Sequence, residues 1–220
     1  MSLADPRPQS PRAGMARVGR SLRLVLRRNP RDVPATASAM EGRPATDVEF
    51  VAYAEDCLVT GRIALSAERL TDLLNDHDEY ALVNVVVSSL EDGRELEVPE
   101  ITLLRDDLLV AQATEPRGNA GRRRATRTYG VAAQVGPYLL RGFLHALPGS
   151  DAVASLGRRK TMVPMTNVWI DFVSAGVPQH RHLPTAIVNQ ERIEWVVEDG
   201  GEPVVLRRRT ADEDDAPTSA

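Results

Sequence analysis

The segment CLVTGRIAL at positions 57–65 returns in altered form as YLLRGFLHA at positions 138–146, an offset of 81 residues. Two later segments also recur, at offsets of 83 and 85 residues. The matched residues include Gly61 with Gly142, Asn84 with Asn167, and Pro99 with Pro184. The offset changes only between strand-like segments, where an insertion falls in a connection and is tolerated. The sequence therefore predicts a tandem duplication.

Each copy has the pattern of short strands. In the first copy, residues 48–66 and 80–90 are rich in strand-forming residues, and a strand broken at Pro99 is followed by a tight turn at 105–107 and a closing strand. A meander of short, bent strands favours a small barrel, because closing the sheet removes its exposed edges. We therefore expect a mainly β fold with short helices, built as two tandem small barrel-like domains.

One short helix is predicted between the first strands of each copy. In the first copy the predicted cap, apolar face and end are Ser66, then Leu70, Leu73 and Leu74, then Asn75. The second copy is expected to keep a remnant of this helix, capped by Ser150 or Asp151, with Val153 and Leu156 on its apolar face.

Composition divides the chain into five parts. Residues 1–46 contain nine arginines and form a basic tail, and residues 199–220 form an acidic tail. Both tails are polar and rich in Pro, Ser and Ala, so we predict that they are disordered. Between them lie the first copy (47–114), a linker rich in Arg and Gly (115–127) and the second copy (128–198). The sequence leaves open whether the true start is Met1, Met15 or Met40.

The candidate reactive residues give no catalytic motif. The single cysteine, Cys57, excludes an internal disulfide, and its position in an alternating strand indicates a small buried apolar residue. His180 and His182 have an H-x-H spacing that could serve zinc, but no third ligand is evident, so we interpret them as solvated surface histidines. Phosphate-binding and nucleophile motifs are absent from the sequence. We expect no enzyme activity, cofactor or metal.

Two stretches carry a resemblance to an uncharacterised bacterial domain family. That family has an R-L-(S/T)-D-x-L-N signature, and ERLTDLLN at 68–75 is similar to it. Its closing hairpin, V-N-(K/R)-x-x-I, is similar to the segment AIVNQERIEWV at 186–196. The family brings no assigned activity. The high ratio of arginine to lysine, with Lys160 as the one lysine, is also typical of a GC-rich bacterial coding sequence.

The order of elements also resembles the Sm-like and SH3-like small barrels. Gly61 with Ile63, and Asn75, match parts of the Sm-like pattern, but the spacing is longer. Both closing hairpins lack the Arg-Gly pair of that pattern, which removes much of the RNA-binding pocket that the resemblance implies.

These observations favour a non-enzymatic interaction or regulatory module with a protein partner. The alternative is an Sm-like nucleic-acid binder that uses the basic linker residues Arg122, Arg123, Arg124 and Arg127 to neutralise phosphates. The sequence contains no apolar run long enough for a membrane span and no secretory signal, so we expect a cytoplasmic protein.

Overall fold

The computed structural model describes residues 46–114 and 126–198 and the backbone of residues 204–205. The described residues form one α-helix, α1 (Leu70–Asp76), and eleven strands. The strands of the first half are β1 (Thr46–Tyr53), β2 (Cys57–Leu65), β3 (Glu79–Ser89), β4 (Glu95–Leu104) and β5 (Val110–Gln112). Those of the second half are β6 (Arg127–Val135), β7 (Tyr138–Ala146), β8 (Met162–Ser174), β9 (Val177–Asn189) and β10 (Ile193–Glu198), followed by β11 (Val204–Val205).

All strands join one antiparallel sheet in the order β11-β10-β6-β7-β8-β9-β5-β1-β2-β3-β4. The first half has the internal order β5-β1-β2-β3-β4 and the second half has the matching order β10-β6-β7-β8-β9. Each half contains five strands where the sequence predicted four, because a turn at 54–56 divides the segment 48–66 into β1 and β2.

The expectation of two closed barrels is wrong, because the sheet is open. Strand β5 is three residues long and pairs with β1 on one edge. Its other edge would receive β4 if the first half closed, but it pairs with β9 of the second half instead. The two halves are therefore continuous through a shared ladder.

The same three residue types bend both halves of the sheet. Asn84 and Asn167 adopt the left-handed conformation, with φ of 52° and 51°. The ladder between β3 and β4 pairs Val83 with Glu100 and Val85 with Val98, so Asn84 lies opposite Pro99 at an interruption. Proline has no N–H to donate, and the interruption accommodates it. Strand β4 therefore bends at Pro99 but continues, contrary to the predicted break.

Gly61 and Gly142 occupy matching places beside these bends. A Cβ on Gly61 would lie 3.1 Å from both the Val83 carbonyl oxygen and Val85 Cγ2. A Cβ on Gly142 would lie 2.8 Å from Val168 Cγ2 and 3.1 Å from the Thr166 carbonyl oxygen. The close approach of the next strand therefore favours glycine at both positions.

The apolar residues form two cores, and each core takes side chains from the other half. Met162 and Ile187 of the second half are buried in the core of the first. Tyr53, Leu58 and Val110 of the first half are buried in the core of the second. We call the ladder between β5 and β9, with these exchanged side chains, the joint.

Polar side chains fix the register of the joint. The amide of Asn75 donates to the Met162 carbonyl at 2.8 Å and accepts from the Met162 N–H at 3.0 Å. Asn189 is 1% exposed, and its amide donates to the Leu108 carbonyl at 3.0 Å. The Tyr138 hydroxyl donates to the Ala54 carbonyl at 2.6 Å.

Helix α1 begins later than predicted. Its N-cap is Arg69, which makes no side-chain capping bond, so the assignment of Ser66 as the cap is wrong. The three leucines on the apolar face are buried as expected. In the second half, the segment that matches the helix forms turns and a 3₁₀-helix at Leu156–Arg158, with the N–H of Ala154 donating to the Asp151 carboxylate at 2.8 Å.

We predict that Leu73→Ala lowers the free energy of unfolding by about 2–4 kcal/mol, because it deletes a side chain that is 6% exposed in the first core. Chemical denaturation measures this change. Asp72→Ala on the exposed side of the same helix is the control and should cost less than about 1 kcal/mol. Equal effects of the two substitutions would show that the helix is not a core element.

Gly142→Ala should also destabilise the protein, by about 1–3 kcal/mol, because the new methyl group overlaps Val168 at the bend. Gly157→Ala is the matched control, since a Cβ at that position meets nothing within 4 Å. A melting temperature for Gly142→Ala that equals that of the control would contradict the bend.

Candidate functional site

The exposed large apolar side chains lie mainly on the second half. Among the described residues they are Val83, Phe143, Leu147, Trp169, Val173 and Val177, of which only Val83 belongs to the first half. Trp169 is 43% exposed and Phe143 is 37% exposed. Exposed aromatic side chains grouped on one face often mark a contact surface.

Phe143 and Trp169 line an open groove of about 480 Å³ that crosses β10, β6, β7 and β8. Its floor is low because Gly130, Ala132 and Gly142 present little or no side chain. The other lining residues are Val131, Arg141, Asn167, Val197 and Glu198. The groove therefore combines two aromatic rings, one guanidinium, one amide and one carboxylate.

Trp169 is held by two imidazoles from the neighbouring strand. The rings of Trp169 and His180 are stacked, with centroids 4.6 Å apart and planes 12° apart. The His182 ring lies 4.8 Å from Trp169 at 47°. His182 Nε2 is hydrogen-bonded to Asn167 Oδ1 at 2.7 Å. These contacts restrict the rotation of an exposed indole.

Asp171 connects this arrangement to β7. One of its oxygens accepts from Arg141 Nη1 at 2.7 Å, and the other contacts His180 Nδ1. Because Arg141 lies opposite Trp169 and His180 lies opposite Asp171, the group forms a patch on three adjacent strands. We call Arg141, Asn167, Trp169, Asp171, His180 and His182 the tryptophan cluster.

The first half does not repeat the tryptophan cluster. At the offset of 83, Trp169 corresponds to Val86 and Asp171 corresponds to Ser88. Ser88 donates to Glu95 at 3.2 Å, where the second half has the contact between Asp171 and His180. The two halves share a backbone and differ in this surface, so the backbone does not require the cluster.

The basic residues predicted from the sequence are only partly described. Arg122, Arg123 and Arg124 lie outside the described residues. Arg127 is exposed at the start of β6, opposite Ala146, so it belongs to the sheet and not to the linker. It precedes Gly130 of the groove along the same strand.

The two histidines of the H-x-H motif are exposed, as predicted, but they contact Trp169. The residues that the structure describes include no group of three or more His, Cys, Asp or Glu side chains placed to hold a metal ion. Sequence reasoning missed the stacking on Trp169. The available signal was the outward position of Trp169 and Asp171, which alternate with buried Val168 and Ile170 on β8.

Cys57 is fully buried in the first core, as expected. Burial, followed by the charge of Asp56, raises the pKa of its thiol to about 12. A nucleophilic cysteine requires a lowered pKa and access to solvent. Cys57 therefore has the properties of a packing residue.

No helix among the described residues has the length and apolar character to cross a membrane. Comparison of the chain with family models, curated proteins and solved structures gave no match.

Proposed function

We propose that the protein is a non-enzymatic interaction module and that a protein partner binds the groove of the second half. The observation that carries this proposal is the exposed indole of Trp169, held by His180 and His182. A large side chain that is fixed before binding loses little conformational entropy on contact, and such residues dominate the affinity of interfaces. Within this proposal the two halves descend from a tandem duplication, and the second copy acquired the binding surface.

The chemistry of the groove favours a peptide segment with an apolar or aromatic side chain. Phe143 and Trp169 offer apolar contact, while Arg141 and Asn167 offer hydrogen bonds to a backbone or polar side chain. This mixture of an aromatic centre with a polar border is typical of protein interfaces. The residues suit binding better than catalysis, because His180 is exposed to water, Asp171 is partly exposed, and the two are paired with each other.

The alternative is a nucleic-acid binder, which the position of Arg127 favours. Arg127 lies on β6, which also contributes Gly130 to the groove. A nucleic acid whose phosphates contact the basic linker would therefore have its bases directed toward Trp169. Two features oppose this alternative: Asp171 and Glu198 place carboxylates at the site, and the chain has a net charge of −4. A resemblance to Sm-like chains supports the alternative only through the general order of elements.

Trp169→Ala should weaken partner binding by at least about 30-fold, which corresponds to about 2 kcal/mol. The partner is first captured from cell extract on the intact chain and identified, and its affinity for each variant is then measured by titration calorimetry. Val83→Ala is the control, because it removes an exposed apolar side chain from the first half. Unchanged affinity of the Trp169 variant would exclude the groove as the binding surface.

Replacing Arg122, Arg123 and Arg124 together by serine should leave stability and protein binding unaltered, because exposed charges contribute little to stability. We also expect no oligonucleotide binding by the intact chain. Thermal melting and calorimetry with the protein partner test the first statement, and fluorescence anisotropy with labelled single-stranded RNA and DNA at increasing salt tests the second. A dissociation constant of about 1 µM or lower at about 0.15 M salt, lost in the triple variant and at high salt, would establish the alternative.

A further inference from the structure

We infer that β11 covers the edge of β10 at which β4 of a second molecule of this chain could otherwise pair. When β11 leaves this edge, β10 becomes available to that β4. Strand β10 also contributes Val197 and Glu198 to the groove, but its ladder with β11 uses Trp195 and Val196. It starts from the internal joint, in which the fourth strand of one half pairs with the fifth strand of the other.

The ladders show that β11 takes the position on β10 that β9 takes on β5. In the joint, Val110 pairs with Val188 and Ala111 pairs with Ile187. On β10, Trp195 pairs with Val205 and Val196 pairs with Val204. Trp195 and Val196 correspond to Val110 and Ala111 at the offset of 85. Both added strands are antiparallel and have the same register, so β11 is a two-residue substitute for a fourth strand.

In the described part of the chain, the matching fourth strand with an unpaired outer edge is β4, at the opposite end of the sheet. The part of β9 that forms the joint is 186–188, which corresponds to 101–103 of β4. Ile101 and Leu103 are buried, as are Ala186 and Val188, so both strands direct the same positions toward the core. The carboxylates that protect the β4 edge, at Glu95, Glu97 and Glu100, all precede this segment.

A contact between β4 of one molecule and β10 of another would be heterologous, since each molecule uses two different edges. Such contacts continue from molecule to molecule unless an edge is blocked. The short strand β11 blocks one edge within the same chain. This explains why a two-residue strand is present at that end of the sheet.

The new contact would be weaker than the internal joint. Met162, Ile187 and Asn189 strengthen the joint, but the corresponding residues of the first half are Glu79, Thr102 and Leu104. These side chains supply neither the exchanged apolar contact of Ile187 nor the amide hydrogen bond of Asn189. Assembly through β4 and β10 should therefore be reversible and dependent on concentration.

The test compares the intact chain with a chain that ends at Glu198. Light scattering coupled to size-exclusion chromatography should give the mass of one chain, 24.1 kDa, for the intact protein at every concentration. The truncated chain should increase in apparent mass to two or more chains as its concentration rises. A truncated chain that remains monomeric throughout the soluble range would overturn the inference.

A second variant keeps the full length and removes only the pairing. Val204→Pro with Val205→Pro deletes the two backbone N–H groups of β11 and should produce the same assembly as truncation. Adding a peptide of residues 202–208 should return the truncated chain to one-chain mass, whereas a scrambled peptide should not. Assembly that is unchanged when the peptide is added would indicate general apolar association and would also overturn the inference.

The truncated chain that also carries Trp169→Ala separates the two proposals. It should assemble as readily as the truncated chain alone, because Trp169 lies on β8 and not on either outer edge. Loss of assembly in this variant would show that the groove, and not the β10 edge, is where the copies meet, and would count against β11 as a strand substitute.

Discussion

The three-residue ladder between β5 and β9 is the contact on which the rest of the structure depends. It joins two five-stranded halves into one sheet and places Met162 and Ile187 in the first core. It also brings Tyr53 of the first half against Tyr138 and Phe172, with ring centroids 5.4 and 6.0 Å apart. Three residues supply few hydrogen bonds, so the exchanged side chains and the buried amide of Asn189 hold the halves together.

The sequence was sufficient to match Gly61 with Gly142, but it predicted neither the left-handed residue Asn84 nor the partner of β5. Each of three residues has a backbone property that is local to it: Gly61 lacks a Cβ, Asn84 tolerates a positive φ, and Pro99 lacks an N–H. They lie close together on β2, β3 and β4. Barrel closure, by contrast, depends on which distant strand takes the free edge of β5. A strand of three residues has almost no periodic signal, and alternation of apolar residues is equally compatible with pairing to β4 or to β9. The predicted closure failed for that reason.

Two asparagines, one in each half, make hydrogen bonds that cross between the halves. Asn75 of the first half donates to the Met162 carbonyl of the second, and Asn189 of the second half donates to the Leu108 carbonyl of the first. These hydrogen bonds give both asparagines a part in holding the two halves together. The tryptophan cluster was harder to predict. The stacking depends on how the two 13-residue strands β8 and β9 are aligned. At Asn167, which has a positive φ, the alternation of buried and exposed residues on β8 also shifts by one position.

The exchange of side chains across the joint also sets the order in which the chain can fold during synthesis. The ribosome releases β1 to β5 first, but the core of these strands includes Met162 and Ile187, which emerge much later. Until residue 187 is available, the outer edge of β5 has no partner and part of the first core is open to water. Completion of the first half thus waits for the second, and most of the chain must be made before either half reaches its final packing.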